Sequence, residues 1–423
     1  MGVFESFLST PEVTEVLSDR SFVAAMLRYQ AALSRAQANA GLIPAGAAQS
    51  IIGTCKVELF DVPKLTRESG RVRCLAAPLL AGLRETVGLF NAEAASFVGY
   101  GYTRQNLIDS ALALVSVDVL ALVRADVLRT LTDLLQLANL HEATPMLSPA
   151  HPTAPVLSCI GLQCTEWAAP ILRSLQRLGR SAQQALVVHL GEVPSTSTAL
   201  PATLEQVAAR VATELQLTGP PACMESRCDE WMVVASELGQ LIASQARMAA
   251  ELASWSRSGL IDMAPRMADT PASAGAGVNA PSHVSSMVVN AAAQRAPQRV
   301  AALLGCQSQQ HDISQGGWQA ALPEWHGLLT SAHGAARASV ELVRTIQVNS
   351  LRAHEQVGQY RTTLTARDAA QRLGPDAMAV LAQHTRHRIA QLRAALDSAD
   401  ADTLPVTTRA DWLTHEAPAL VLA

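Results

Sequence analysis

At 423 residues, with 49% apolar, 16% charged and 4% aromatic side chains, the chain has length for about three domains and is too apolar to be disordered. A net charge of −4 gives no basic field to recruit phosphate backbones, and the scarcity of aromatics excludes a base-stacking platform, so no nucleic-acid partner is expected. Abundant alanine and leucine, with only short β-branched runs, point to helix.

The opening residues Met1-Gly2-Val3-Phe4-Glu5-Ser6 carry neither a basic nor an apolar signal region, so a cytoplasmic protein is expected. Residues 1–100 read as a domain of short helices. Ser9-Thr10-Pro11-Glu12 starts one, with a capping hydroxyl, a first-turn proline and an acid near the positive helix end. A longer one begins at about Asp19, carries Phe22, Met26, Leu27 and Leu33 near helical spacing, and is stopped by Gly41.

Residues 101–350 change scale. Apolar positions run from Gln105 to about Leu140 without a breaker, and comparable runs fill about 155–190, 228–258, 284–305 and 317–350. The apolar stretch Ser110–Val123 is too short to span a bilayer and contains Asp118; it predicts a buried helix, not a membrane partner. Five helices of this length cannot each bury a face within one chain, so the pattern predicts an all-α bundle completed by oligomerisation. Three prolines and two glycines make 264–283 a mobile loop. Residues 351–423 return to short helices, broken at Gly374-Pro375 and Leu404-Pro405.

Seven cysteines in a large chain read as reduced buried thiols. The gaps of Cys159/Cys164 and Cys223/Cys228 are not those of a metal knuckle, and His384 and His387 read as a solvated helix face. No metal or organic cofactor is expected.

Several segments carry a resemblance. Phe7-Leu-Ser-Thr-Pro-Glu-Val13, Leu17-Ser-Asp-Arg20, Ala31-Ala-Leu-Ser-Arg-Ala-Gln37 and Gly41-Leu-Ile-Pro44 resemble the opening of the 3-carboxy-cis,cis-muconate cycloisomerases, a branch of the fumarase/aspartase superfamily. Gly101-Tyr-Thr-Arg-Gln-Asn-Leu-Ile-Asp-Ser-Ala-Leu112 resembles that family's GATSQDxxDTAL segment. Ala291-Ala-Ala-Gln-Arg-Ala-Pro297, Gly316-Gly-Trp-Gln-Ala320 and Glu416-Ala-Pro-Ala-Leu420 resemble its AAARRAP, GGWQAEW and DPAxYLG stretches. The resemblance implies three mostly helical domains whose central long helices form a twenty-helix core in a homotetramer, with each active site shared by three subunits and no cofactor. It also implies proton abstraction next to a substrate carboxylate by a serine of the mobile loop, with a lysine and an asparagine holding carboxylates. A serine needs oriented donors and nearby positive charge to serve as that base.

Those groups are missing here. Read back from Ala291–Pro297, the tandem serines fall on Ala274 and Gly275, the lysine on Ala280 and the asparagine on Ser282. The serines nearby are Ser273, Ser282, Ser285 and Ser286, and the only lysines of the chain are Lys56 and Lys64. In the GATSQD segment the family histidine position is Gly99, Thr103 and Gln105 are kept, and Arg104 and Asn106 replace serine and aspartate. In a third segment, Glu142–Thr153, Thr144 matches, Ser148 stands near the family glutamine, and Thr153-Ala-Pro155 replaces TFG.

Two readings follow. In the first, the chain is a diverged lyase or cycloisomerase making or breaking a C–O, C–N or C–C bond next to an activated carbon, with specialised metabolism as its setting. Its substrate is a small carboxylate-bearing molecule, contacted by Tyr102, Thr103, Arg104, Gln105, Thr144, Ser148, Asn279, Trp318 and Gln319. Arg104 supplies a bidentate carboxylate clamp, and His283 or His151, with Ser282, supplies acid–base groups suited to neutral pH. In the second, the chain is a catalytically inactive member that keeps the scaffold as a binding or partner protein, and Thr103 and Gln105 persist for capping and packing.

Overall fold

The structure, a computed structural model, describes residues 6–148, 155–190, 201–219, 228–263, 281–307, 316–365, 374 and 376–401. Among them the fold is all-α, with two short antiparallel ribbons. The described residues pack as two compact units: those within 14–121 and 182–231 form one, and those within 6–13, 122–181 and 232–401 the other.

Helix α1 (Pro11–Val16) starts at the Pro11 signal. In the first unit, α2 (Asp19–Asn39) is capped by Ser18, whose side chain accepts the Ser21 amide, and it ends before Gly41 at φ +72°. Its stripe of Met26, Leu27 and Leu33 is buried. Around it lie α3 (Ala45–Thr54), a 3-10 turn (Val57–Leu59), α4 (Val62–Val72), α5 (Ala76–Phe90), α6 (Ala92–Ala95) and α9 (Pro201–Leu215). The ion pair Arg35–Glu214 ties α2 to α9.

Helix α7 (Arg104–Leu140) runs 37 residues, about 55 Å at 1.5 Å per residue, and contributes to both units. The stretch 110–123 is largely buried within it, and no helix among the described residues is long and apolar enough to cross a membrane.

The second unit holds α8 (Ile160–Ala185, as far as Ser181), α10 (Cys228–Arg257, from Met232), α11 (Pro281–Cys306), α12 (Gly317–Arg344), α13 (Ser350–Thr362) and α14 (Ala377–Ala401). Arg177 binds both carboxylate oxygens of Glu237 at 2.8 and 2.9 Å, and Trp167 donates to Glu251 at 2.6 Å, which fixes the register of α8 against α10. Arg344 donates to Asp133 at 2.8 Å between α12 and α7. Gly334 of α12 lies where a Cβ would run into the Leu8 carbonyl, so the segment before α1 crosses α12 in direct backbone contact.

Three features depart from the sequence reading. The run at 155–190 begins as a strand: β1 (Pro145–Ser148) pairs with β2 (Val156–Cys159), and α8 starts only at Ile160. A second ribbon joins β3 (Ile261–Met263) to β4 (Ile346–Val348), which ends the fifth run early. Residues 377–401 are one 25-residue helix, not short pieces; its buried stripe is only Ala382, Thr385, Ile389 and Ala399, too sparse to read as periodicity. Most of the 264–283 loop lies outside the described residues, but Pro281-Ser282-His283 are the first residues of α11, where proline in the first turn is favoured. Leu404-Pro405 lies outside as well.

Candidate functional site

The N-terminus of α7 shows why its residues are there. Thr103 Oγ1 accepts the Asn106 amide at 3.1 Å, while Asn106 Oδ1 accepts the Thr103 amide and hydroxyl, each at 2.9 Å. This reciprocal cap satisfies donors that a helix start leaves open. Arg104, in the first turn, is exposed and makes no ion pair among the described residues. The backbone just before it turns through Gly99 at φ +80° and Gly101 at φ +79°, a region open to glycine at little cost. A Cβ at Gly101 would stand 3.0 Å from Gln37 Nε2, which donates to the Tyr100 carbonyl at 2.8 Å.

Tyr102 is turned inwards. Its hydroxyl donates to Gln30 Oε1, its ring meets Tyr29 edge-on at 5.5 Å, and burial pushes its phenol up. Gln30 Nε2 donates to Ser34 at 3.0 Å, and Tyr29 donates to the His189 carbonyl at 2.8 Å. Gln105 and Asp109 are one turn apart on one face of α7, and Gln105 Nε2 donates to Asp109 Oδ1 at 2.7 Å. Burial raises the Asp109 carboxyl to about 7, against the lowering effect of that hydrogen bond. Asp109 was legible as the second aspartate of the GATSQD-like segment, and its spacing from Gln105 was the available signal. The sequence reading did not single it out.

The remaining described candidates belong to the second unit. Thr144 is half-buried and meets His141 Nδ1 at 3.1 Å; burial lowers the His141 imidazole, which favours its neutral form. Ser148 is the last residue of β1, opposite Val156. Trp318 and Gln319 open α12, Trp318 half-buried and Gln319 exposed. Ser282 and His283 are placed as first-turn backbone of α11. His151 and Asn279 lie outside the described residues. Of the other serines near the loop, Ser285 and Ser286 are buried in α11, and Ser285 donates to Glu341 at 2.9 Å.

His384 and His387 lie on an exposed face of α14, and no group of three metal-ligating side chains occurs among the described residues. Cys159 and Cys164 are buried free thiols, and burial pushes Cys55 up to about 12. A thiol in that condition is a poor nucleophile.

One polar cluster was invisible in the sequence. Asp126 of α7 receives Arg337 Nε at 2.9 Å and Arg129 Nη1 at 2.8 Å, and His333 Nε2 lies 3.3 Å from it. His333 Nδ1 meets Thr10 Oγ1 at 2.9 Å, and Arg337 also reaches Glu12 at 3.2 Å. His333 and Asp126 are 0% and 1% exposed, so the cluster is structural: it fastens α7, α12 and the start of α1.

A 3-carboxy-cis,cis-muconate cycloisomerase of Bradyrhizobium diazoefficiens is 31% identical over 350 residues, covering 82% of this chain and 76% of the relative. The chain belongs to the fumarase/aspartase superfamily, on its carboxymuconate cycloisomerase branch. A nitrosuccinate lyase of Streptomyces davaonensis is 28% identical over 381 residues, covering 84% of this chain and 76% of that one. The crystal structure of the 3-carboxy-cis,cis-muconate lactonizing enzyme from Pseudomonas putida superposes with a TM-score of 0.77 at 26% identity, covering 95% of this chain and 92% of that one. No family model matches the chain. By membership this is an enzyme of the lyase and intramolecular-lyase type.

Proposed function

We propose that the chain is a diverged lyase or cycloisomerase that makes or breaks a C–O, C–N or C–C bond next to a carbon activated by a carboxylate, without the superfamily's loop serine as base. The observation that carries this reading is a contrast. The superfamily scaffold spans the chain, yet Ala274, Gly275 and Ala280 stand where the tandem serines and lysine belong. Ser285 supports it, because its hydroxyl, on α11, donates to Glu341 of α12.

In this reading Arg104 holds a substrate carboxylate, and its exposed guanidinium with no ion partner among the described residues fits that role. His283 or His151, aided by Ser282, takes the proton next to the carboxylate, since an imidazole titrates near neutral pH without special activation. Tyr102, Thr103, Gln105, Thr144, Ser148, Asn279, Trp318 and Gln319 shape the remainder. The working form is a cytoplasmic homotetramer with sites shared between subunits. The exposed Val284, Met287 and Leu304 of α11 support that assembly, as apolar side chains for a neighbouring copy to cover. Specialised metabolism fits a site altered this far.

The test is turnover by the purified protein, followed by proton NMR, of 3-carboxy-cis,cis-muconate, nitrosuccinate and 2-aryloxysuccinates. Turnover that falls at least 100-fold in both Arg104→Ala and His283→Ala supports the assignment, and unchanged rates in both variants refute it. A second reading, a catalytically silent member acting as a binding or partner protein, is favoured by one observation. Thr103 and Asn106 commit their polar groups to the helix cap. Turnover of any probe by the pure homomeric protein removes it.

A further inference from the structure

We propose that Asp109 is the general acid of this site, donating the proton that the leaving oxygen or nitrogen takes as its bond to carbon breaks, with Gln105 positioning the carboxyl. The inference rests on the reading of the chain as a lyase and adds a group that reading lacks.

Three observations converge on Asp109. It lies on the face of α7 that carries Gln105, one turn into the helix from the capped start and the exposed Arg104. Gln105 holds only one of its oxygens, Oδ1, through a 2.7 Å hydrogen bond, and the protonated form needs the other free to donate. The residue is half-buried, so it is withdrawn from bulk water without being sealed in the core.

Among the described residues no ion pair ties up the carboxyl. On the elements packed here, Tyr29 of α2 is committed to the His189 carbonyl, and Arg28 of α2 is set against Asp118 and Glu214. Neither these nor Tyr102 nor His189 places a charge on Asp109; burial and the Gln105 amide alone act on it. Burial dominates and brings the carboxyl to about 7, so near neutral pH it is protonated in a large fraction of molecules and still gives the proton up readily.

The step balances. The base removes the proton next to the substrate carboxylate, and that C–H pair becomes the new C=C bond. The C–O or C–N pair leaves with the heteroatom, which takes the Asp109 proton. Asp109 is left as a carboxylate and is reprotonated by solvent. In the addition direction, Asp109 carboxylate takes the proton from the attacking heteroatom.

An acid matters in proportion to how badly the leaving group needs it. The experiment compares wild type and Asp109→Asn, which keeps shape and the Gln105 contact, on 2-phenoxysuccinate and 2-(4-nitrophenoxy)succinate. Asp109→Asn is expected to lose at least 100-fold in kcat on the phenoxy compound and less than about threefold on the nitrophenoxy compound, with little change in KM. The alkaline limb of the wild-type kcat profile near pH 7 on the phenoxy compound is expected to vanish with it. Equal losses on both substrates, or no loss on either, overturn the role of Asp109 while leaving the lyase reading intact. Absence of wild-type turnover on every probe removes the lyase reading and this inference together.

Discussion

Arg337 presents Nε 2.9 Å from Oδ2 of Asp126, a carboxylate with 1% of its side chain exposed, and the two residues are 211 positions apart in the chain. Burial alone would raise the Asp126 carboxyl. The close approach of His333, the Arg337 charge and the smaller effect of the Arg129 charge outweigh it and hold the carboxyl below its usual 3.8. A depressed carboxylate stabilises the fold fully above its unfolded value, and that contribution is lost as pH falls through the folded one. Asp126→Asn is therefore expected to cost about 3 kcal/mol at pH 7, with the gap to wild type narrowing below pH 4. Urea unfolding at pH 7 and at pH 3.5 measures both.

Two glycines carry backbone crossings. Gly334→Ala drives a methyl group into the Leu8 carbonyl, and Gly161→Ala places one 2.8 Å from Glu142 Cα. Each is expected to lose about 2 kcal/mol, Gly334→Ala with faster proteolysis of the N-terminal segment. Gly53 and Gly70, helical with nothing near a new Cβ, are expected instead to gain about 0.5–1 kcal/mol as alanine. Thermal melts of the four variants separate the two classes.

Cap and ligand roles for Thr103 are separable. Thr103→Ala removes the hydroxyl that accepts the Asn106 amide and is expected to cost about 1 kcal/mol of stability. Asn106→Asp keeps the acceptor and adds a favourable charge near the helix N-terminus, so it is expected to match or exceed wild type. Denaturation midpoints decide this without any substrate.

The long helices were the most legible part of the molecule. Breakerless apolar runs placed α7 and α10 to within about a residue at each end, because a buried face must repeat along the whole helix. The ribbons escaped because three- and four-residue strands such as Ile261–Met263 have too few positions to show alternation. Helix α14 escaped because few of its positions are buried. At the site, Thr103, Gln105 and Asn106 were recognisable as a motif. Its use as a cap came from spacing that only coordinates display. Asp126, His333 and Thr10 could not be paired from sequence at all, since their contacts join segments hundreds of residues apart.

Asp109 also bears on stability, with the opposite sign to Asp126. Its folded carboxyl is raised to about 7 from a usual 3.8, so ionising it costs folding free energy progressively across that interval, and the cost is complete above it. Asp109→Asn is expected to stabilise the fold by about 2 kcal/mol at pH 8 and by little at pH 4.5. Equal effects at the two pH values would show that the carboxyl is not raised.

The most direct test of the whole account is the rate of 4-nitrophenolate release from 2-(4-nitrophenoxy)succinate at pH 7 by wild type, Ser273→Ala and His283→Ala. The expected pattern is a Ser273→Ala rate within about twofold of wild type and a His283→Ala rate at least 100-fold lower. The reverse pattern, with activity dependent on the Ser273 hydroxyl and indifferent to the imidazole, would contradict the claim that proton transfer has left the loop serine.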